Sequence, residues 1–173
     1  NGIRAAIRKG LDEFIIKLKP DILLLQEIRC LEEQLPKNWK PPLDLEYSWH
    51  PAERKGYSGV ATFSNNTFKN IEKGKGDKDL EGRILVTKHG NLTMINTYLP
   101  SGSSKLERQM FKENWMDEYL EWLLKFVNLD TPVIIAGDLN IAHTENDIWN
   151  PTGNKMTSGF LPNEREWFDK LLE

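Results

Sequence analysis

The run Thr131-Pro132-Val133-Ile134-Ile135-Ala136-Gly137-Asp138-Leu139-Asn140 constrains this chain more than any other. Val133 to Ala136 are apolar and mostly β-branched, the pattern of a central strand buried on both faces. Gly137 is expected to break that strand. Asp138 and Asn140 alternate around Leu139, so in extended backbone both side chains point the same way at the strand's carboxyl end, where open α/β sheets keep their chemistry. A carboxylate that accepts a proton beside an amide that donates to an anion suits activation of water against a phosphate. A turn uses the same Asp, Asn and Gly residues, and the run by itself leaves both readings open.

A chain of 173 residues with 39% hydrophobic content can bury one sizeable core, which predicts a single domain spanning residues 1–173. No apolar run approaches the ~20 residues of a membrane span, so no membrane partner is expected. The lone Cys30 rules out an internal disulfide framework and fits a reducing, intracellular compartment, with the thiol inert and either packed or partly exposed. A formal charge of −3 does not advertise a nucleic-acid binder, but the placement of Lys and Arg decides that, not their sum. The chain opens on Asn1-Gly2 without Met and stops at Leu171-Leu172-Glu173 inside a helical pattern, so a domain truncated at both ends is expected.

Ile7, Leu11, Phe14, Ile15 and Leu18 fall at helical spacing ahead of Pro20 and predict one amphipathic helix over 4–18. Arg4, Arg8 and Lys9 sit at its amino-terminal end, where cations oppose the helix dipole and are either solvated or serving an anion. Asp21 to Glu27 reads as a buried strand ending on a carboxylate, which must be paired or bound to a cation. Arg29 is the structural partner within reach, and a hard divalent cation is the functional one. Tyr47 to His50 and Val60 to Ser64 read as strands; Gly56 and Gly59 around Tyr57 permit close approach of backbone or ligand. The interleaved charges over 69–81 suit a solvated edge. Arg83–Thr87 and Leu92–Tyr98 flank His89-Gly90-Asn91 as a hairpin, and Pro100 leaves Tyr98 at the strand's end. Ser103 to Asn128 predicts a long helix with Leu106, Met110, Tyr119, Leu120, Leu123, Leu124 and Val127 as its buried stripe. Asn163 to Glu166 has the form of a capping box opening a last helix. Helices alternating with strands and hairpins give an α/β sandwich.

Leu25-Gln26-Glu27, Gly56-Tyr57-Ser58-Gly59-Val60, Tyr98-Leu99-Pro100, Gly137-Asp138-Leu139-Asn140, Asn150-Pro151 with Gly153-Asn154, and Gly159-Phe160 before Glu164-Arg165 occur in that order. Together they resemble the exonuclease III family of apurinic/apyrimidinic endonucleases, within the endonuclease/exonuclease/phosphatase superfamily. The resemblance implies a four-layered α/β/β/α sandwich of the DNase I-like type, incomplete in this chain. It also implies a metal-dependent phosphodiesterase that hydrolyses DNA 5′ to abasic sites, with 3′-to-5′ exonuclease and 3′-phosphodiesterase activity open to it. The partner would be double-stranded DNA with abasic sites or 3′ ends, and the cofactor Mg²⁺, with Mn²⁺ able to substitute. By position, Glu27 would ligate the metal and Asn1 support it. Asp138 would orient and deprotonate water, Asn140 would hold that water or the phosphate, and Tyr98 would contact the scissile phosphate. Arg4, Lys9, Tyr57, Asn150 and Asn154 would line the DNA track, whereas Ser101 and Ser104 stand where relatives carry larger polar or basic residues. The family's first strand and final third fall outside the sequence, so 173 residues alone would be expected to show little nuclease activity. Two other readings stay open: a catalytically incomplete remnant that binds DNA or protein, and a same-fold phosphodiesterase for a non-DNA substrate.

Overall fold

The computed structural model describes residues 2–76, 79–103 and 105–173. They group into two compact units, Asn1–Tyr98 with Leu129–Asp138, and Leu99–Asn128 with Leu139–Glu173.

The first unit holds helices α1 (Ile3–Arg8) and α2 (Leu11–Leu18) and all seven described strands. The single helix expected over 4–18 is two, because Gly10 adopts φ 98° between them and ends the first hydrogen-bond ladder. Of the predicted stripe, Ile15 is buried while Phe14 and Leu18 are exposed. Strands β1 (Ile22–Gln26), β2 (Glu46–His50) and β3 (Val60–Ser64) form an antiparallel sheet in the order β1-β3-β2. β3 is buried on both faces, and its alternation separates two environments. Ala61 and Phe63 join Ile3, Ile15, Ile28, Leu45 and Trp49 in an apolar cluster with the helices. Val60 and Thr62 turn to the second sheet, where Val60 packs with Leu85 and Tyr98.

That sheet runs β4 (Lys69–Lys73), β5 (Ile84–His89), β6 (Leu92–Tyr98) and β7 (Val133–Asp138), in that order. The hairpin turns at Gly90-Asn91 as its residues predict. β7 pairs parallel with β6, aligning Tyr98 with Asp138. Two expectations for β7 are corrected. It is an edge strand among the described residues, with Ile134 45% exposed, and not a central strand buried on both faces. Nor does Gly137 end it: at φ 149° the glycine carries the strand through to Asp138. A Cβ there would stand 1.9 Å from the Thr97 carbonyl oxygen, so pairing at this register requires glycine. The two sheets are fastened by the fully buried Asn96 on β6. Its Nδ2 donates to the carbonyls of Ala61 (2.9 Å) and Leu25 (3.3 Å), and its Oδ1 accepts from Gln26 Nε2 (2.8 Å).

The second unit holds α3 (Leu106–Val127), α4 (Pro151–Asn154) and α5 (Pro162–Leu172). The buried residues of α3 are Lys112, Trp115, Met116, Tyr119 and Leu123. Of the stripe expected from sequence, Leu106, Met110, Leu124 and Val127 are instead exposed. The helical phase is set by aromatic residues and one charged residue, which a count of aliphatic positions misses. The cap of α5 also lies earlier than predicted: Glu164 accepts from the backbone N–H of Leu161 (3.0 Å) and Gly159 (2.6 Å). No helix among the described residues is long and apolar enough to cross a membrane.

Candidate functional site

In the first unit β1 ends at Gln26, and the next residues leave regular geometry. Glu27 (φ 53°) and Arg29 (φ 50°) are left-handed, at a cost of about 1–2 kcal/mol each. They are held there by hydrogen bonds from Ile28 N to Gly59 O (3.1 Å) and Arg29 N to Ser58 O (2.8 Å). Gly59 is the close approach that the Gly-Tyr-Ser-Gly motif suggests, since a Cβ would lie 2.7 Å from Ile28 Cγ1. This bracing aims the Glu27 carboxylate. Its Oε1 accepts from Arg29 Nη2 at 2.6 Å and from the Tyr98 hydroxyl at 2.8 Å, while Oε2 takes no hydrogen bond among the described residues.

Burial opposes ionisation of Glu27, but the hydrogen bonds from Arg29 and Tyr98 and the Arg29 charge outweigh it and hold the carboxyl below its ordinary value. Tyr98 is the counterpart: burial first, then its bond to Glu27 and the carboxylate charges of Glu27 and Asp138, push its pKa strongly upward. The phenol therefore stays neutral and can donate. Asp138, at the exposed end of β7, stands beside Tyr98 in the strand register.

Arg83 extends the cluster, and nothing in the sequence marked it out. It is 2% exposed, lies over the Tyr98 ring with Cζ 4.8 Å from the centroid, and donates to Tyr98 O (2.9 Å), Glu81 Oε2 (2.7 Å) and the Tyr57 hydroxyl (3.3 Å). One guanidinium thus joins two of the predicted site residues. A small cavity of about 170 Å³ is lined by Gly2, Ala6, Gln26 and Glu27 among others, and its lining includes neither Tyr98 nor Asp138. Arg4 and Lys9 are exposed on and just after α1. Asn1 and Ser104 lie outside the described residues. His50 is largely buried and pairs with Asp79 Oδ2 at 3.1 Å.

In the second unit Asn140 is left-handed (φ 49°), a conformation Asn tolerates, and its Nδ2 donates to Leu99 O at 2.8 Å. Asn150 caps α4 by accepting from Gly153 N (3.2 Å). Asn154 donates to the carbonyls of Trp149 (2.8 Å) and Asn150 (3.0 Å), so it spends its amide hydrogens on shaping the loop. The structure thus links Glu27 to Tyr98 and, through Arg83, Tyr98 to Tyr57, sets Asp138 beside Tyr98 in the strand register, and places Asn140, Asn150 and Asn154 in the second unit.

No group of three or more His, Cys, Asp or Glu that could hold a metal exists among the described residues. A hard cation that keeps most of its waters needs only one or two carboxylates, and Glu27 fits that demand with one oxygen oriented by donors and the other left for a ligand.

The sequence pattern of the Endonuclease/Exonuclease/phosphatase family matches residues 2–168. The chain is 34% identical to a DNA repair nuclease of Danio rerio over 177 aligned residues, covering 100% of this chain and 57% of that protein. It is 36% identical to an exodeoxyribonuclease of Bacillus subtilis over 178, covering 100% of this chain and 68% of the relative. The structure of an AP endonuclease from Archaeoglobus fulgidus superposes with a TM-score of 0.86 at 25% identity, over 99% of this chain and 66% of that one. That likeness shows the fold class expected from the sequence, and the chain spans between about half and two thirds of these proteins. With a match along nearly its whole length, the chain belongs to the Endonuclease/Exonuclease/phosphatase family.

Proposed function

We propose that this protein is a DNA repair nuclease of the exonuclease III type, a single endonuclease/exonuclease/phosphatase domain acting inside the cell. It hydrolyses the phosphodiester 5′ to abasic sites in duplex DNA and can trim 3′ ends. The observation that carries this reading is the Glu27 carboxylate, fixed through one oxygen by Arg29 and Tyr98 beside the Asp138 strand end. The names of the zebrafish and Bacillus relatives support the substrate class.

In this reading Glu27 would hold Mg²⁺, with Asn1 in support and Mn²⁺ able to substitute. When bound, the cation would supply charge stabilisation at the phosphate oxygen. Asp138 orients the attacking water and takes its proton. Asn140 holds that water or the phosphate, and the Tyr98 hydroxyl, which donates to Glu27 in the free protein, turns its one hydrogen to the scissile phosphate when substrate is bound. Arg29 keeps Glu27 ionised and aimed. Arg4, Lys9, Tyr57 and Asn150 line the DNA, with Asn154 shaping the loop that presents Asn150.

Incision of an abasic duplex by the full-length protein tests the mechanism. Asp138→Asn should lower kcat by about 10²-fold or more, and EDTA should abolish the activity until Mg²⁺ is restored. Full activity after either treatment overturns the mechanism. DNA binding without cutting in the unaltered protein would favour a remnant, and preferential turnover of phosphoinositides over abasic duplex would favour a same-fold phosphodiesterase.

A further inference from the structure

Two charged side chains with no exposed surface lie in the second unit. Lys112 on α3 and Glu164 on α5 are each 0% exposed and paired at 2.6 Å. Both Glu164 oxygens are used: Oε1 takes Lys112 and Gln109 Nε2 (3.1 Å), and Oε2 takes the N–H groups of Gly159 and Leu161. The Lys112 ammonium also donates to the backbone carbonyl of Asn140 at 2.8 Å. Gly159, held by Glu164, completes the enclosure: its carbonyl accepts from Ala142 N at 2.7 Å, and a Cβ on it would stand 3.1 Å from the Asn140 carbonyl oxygen.

A buried ion pair is a weak stabiliser, because desolvation of both charges offsets their attraction, and well-packed apolar replacements are often no less stable. Its role here is better sought in geometry. The pair joins α3, the turn at Asn140 and the 159–164 turn, and it grips Asn140 at the carbonyl while Leu99 O takes the same residue's side-chain amide. A left-handed residue fixed at both its backbone and its side chain has one orientation available.

We propose that Lys112 and Glu164 are positioning residues that fix the orientation of Asn140 for the reaction. This rests on the role assigned above to Asn140. The test compares full-length protein with the Lys112→Met/Glu164→Leu double variant, with Asn140→Ala, and with their combination, in steady-state incision of abasic duplex. The double variant should keep its cooperative unfolding, lose about tenfold or more in kcat and change KM little. Adding Asn140→Ala should cost little more, because both changes remove the same element. Lys112→Arg, which keeps a charged donor for Asn140 O and Glu164, should recover most of the rate. In NMR spectra the Asn140 side-chain amide should shift and exchange faster with solvent in the double variant than in the parent.

If Asn140→Ala is impaired while the double variant turns over normally with an unmoved Asn140 amide, the positioning role is wrong and the reading of Asn140 stands. If Asn140→Ala itself is fully active, both fall. Should the double variant fail to fold, Gly159→Ala carries the test, since its Cβ would press on the same carbonyl and its φ of 93° would strain the turn that Glu164 holds, with both charges kept; an unchanged kcat there overturns the proposal.

Discussion

Glu27 and Asp138 could be singled out from sequence because each is a carboxylate closing a largely apolar run, and such an ending asks for a reason; Tyr98 stood out because Pro100 leaves it at a strand's end. Arg29 was legible as the partner of Glu27 by proximity alone. Arg83 and Asn96 were not, because each is an ordinary polar residue in a hairpin until residues far along the chain supply its contacts. Asp79 belongs with them. Its Oδ2 accepts from Arg83 N (2.6 Å), Ile84 N (3.1 Å) and His50, so it caps the start of β5, the strand Arg83 leads into. Burial opposes its ionisation, yet these bonds and the His50 pairing outweigh it and hold the carboxyl below its ordinary value. A carboxyl depressed in the folded state stabilises the fold above its unfolded value, roughly pH 4, and that contribution is lost as pH falls through the folded value. Asp79→Asn should therefore destabilise by about 1.5–3 kcal/mol at pH 7. The gap from the parent should narrow below about pH 4 in thermal unfolding followed across pH.

At the scale of elements, the sequence announced those whose local chemistry is self-contained. The β5–β6 hairpin is written in Gly90-Asn91 and the alternation on either side. The break at Gly10 is not, because the apolar spacing runs straight across it while the glycine's φ decides the outcome. The face of α3 was misread because Lys112 sits among its buried residues, and an ammonium reads as surface until Glu164 is in view. β7 shows the same split: its apolar residues were plain, but its place at the sheet edge and its continuation through Gly137 depend on pairing with β6. Gly137→Ala would force Cβ against the Thr97 carbonyl. It should cost about 1–3 kcal/mol in urea unfolding and also lower incision, because the shift displaces Asp138 from Tyr98.

For the whole molecule, net charge leaves the question of a polyanion partner open and the distribution of charge bears on it. With a formal charge of −3, the proposed binding to DNA would rest on local cations such as Arg4 and Lys9 on the α1 side. If each contacts one phosphate, the Arg4→Ala/Lys9→Ala double variant should flatten the dependence of log K on log salt by about 0.9 per lost contact, measured by anisotropy with duplex DNA. Both sheets of the first unit depend on Asn96, and Asn96→Ala should destabilise by roughly 1–3 kcal/mol for each buried partner left unsatisfied, in equilibrium denaturation. The same side chain limits how this sandwich can move. Because Asn96 bonds to β1 and β3 from the opposite sheet, sliding one sheet over the other would strand buried polar groups, so shear is closed as a response to substrate. Under the proposed function, accommodation of a duplex would fall to hinge-like adjustment in the connecting segments, and the left-handed residues at 27, 29 and 58 mark where a small backbone rotation would re-aim Glu27.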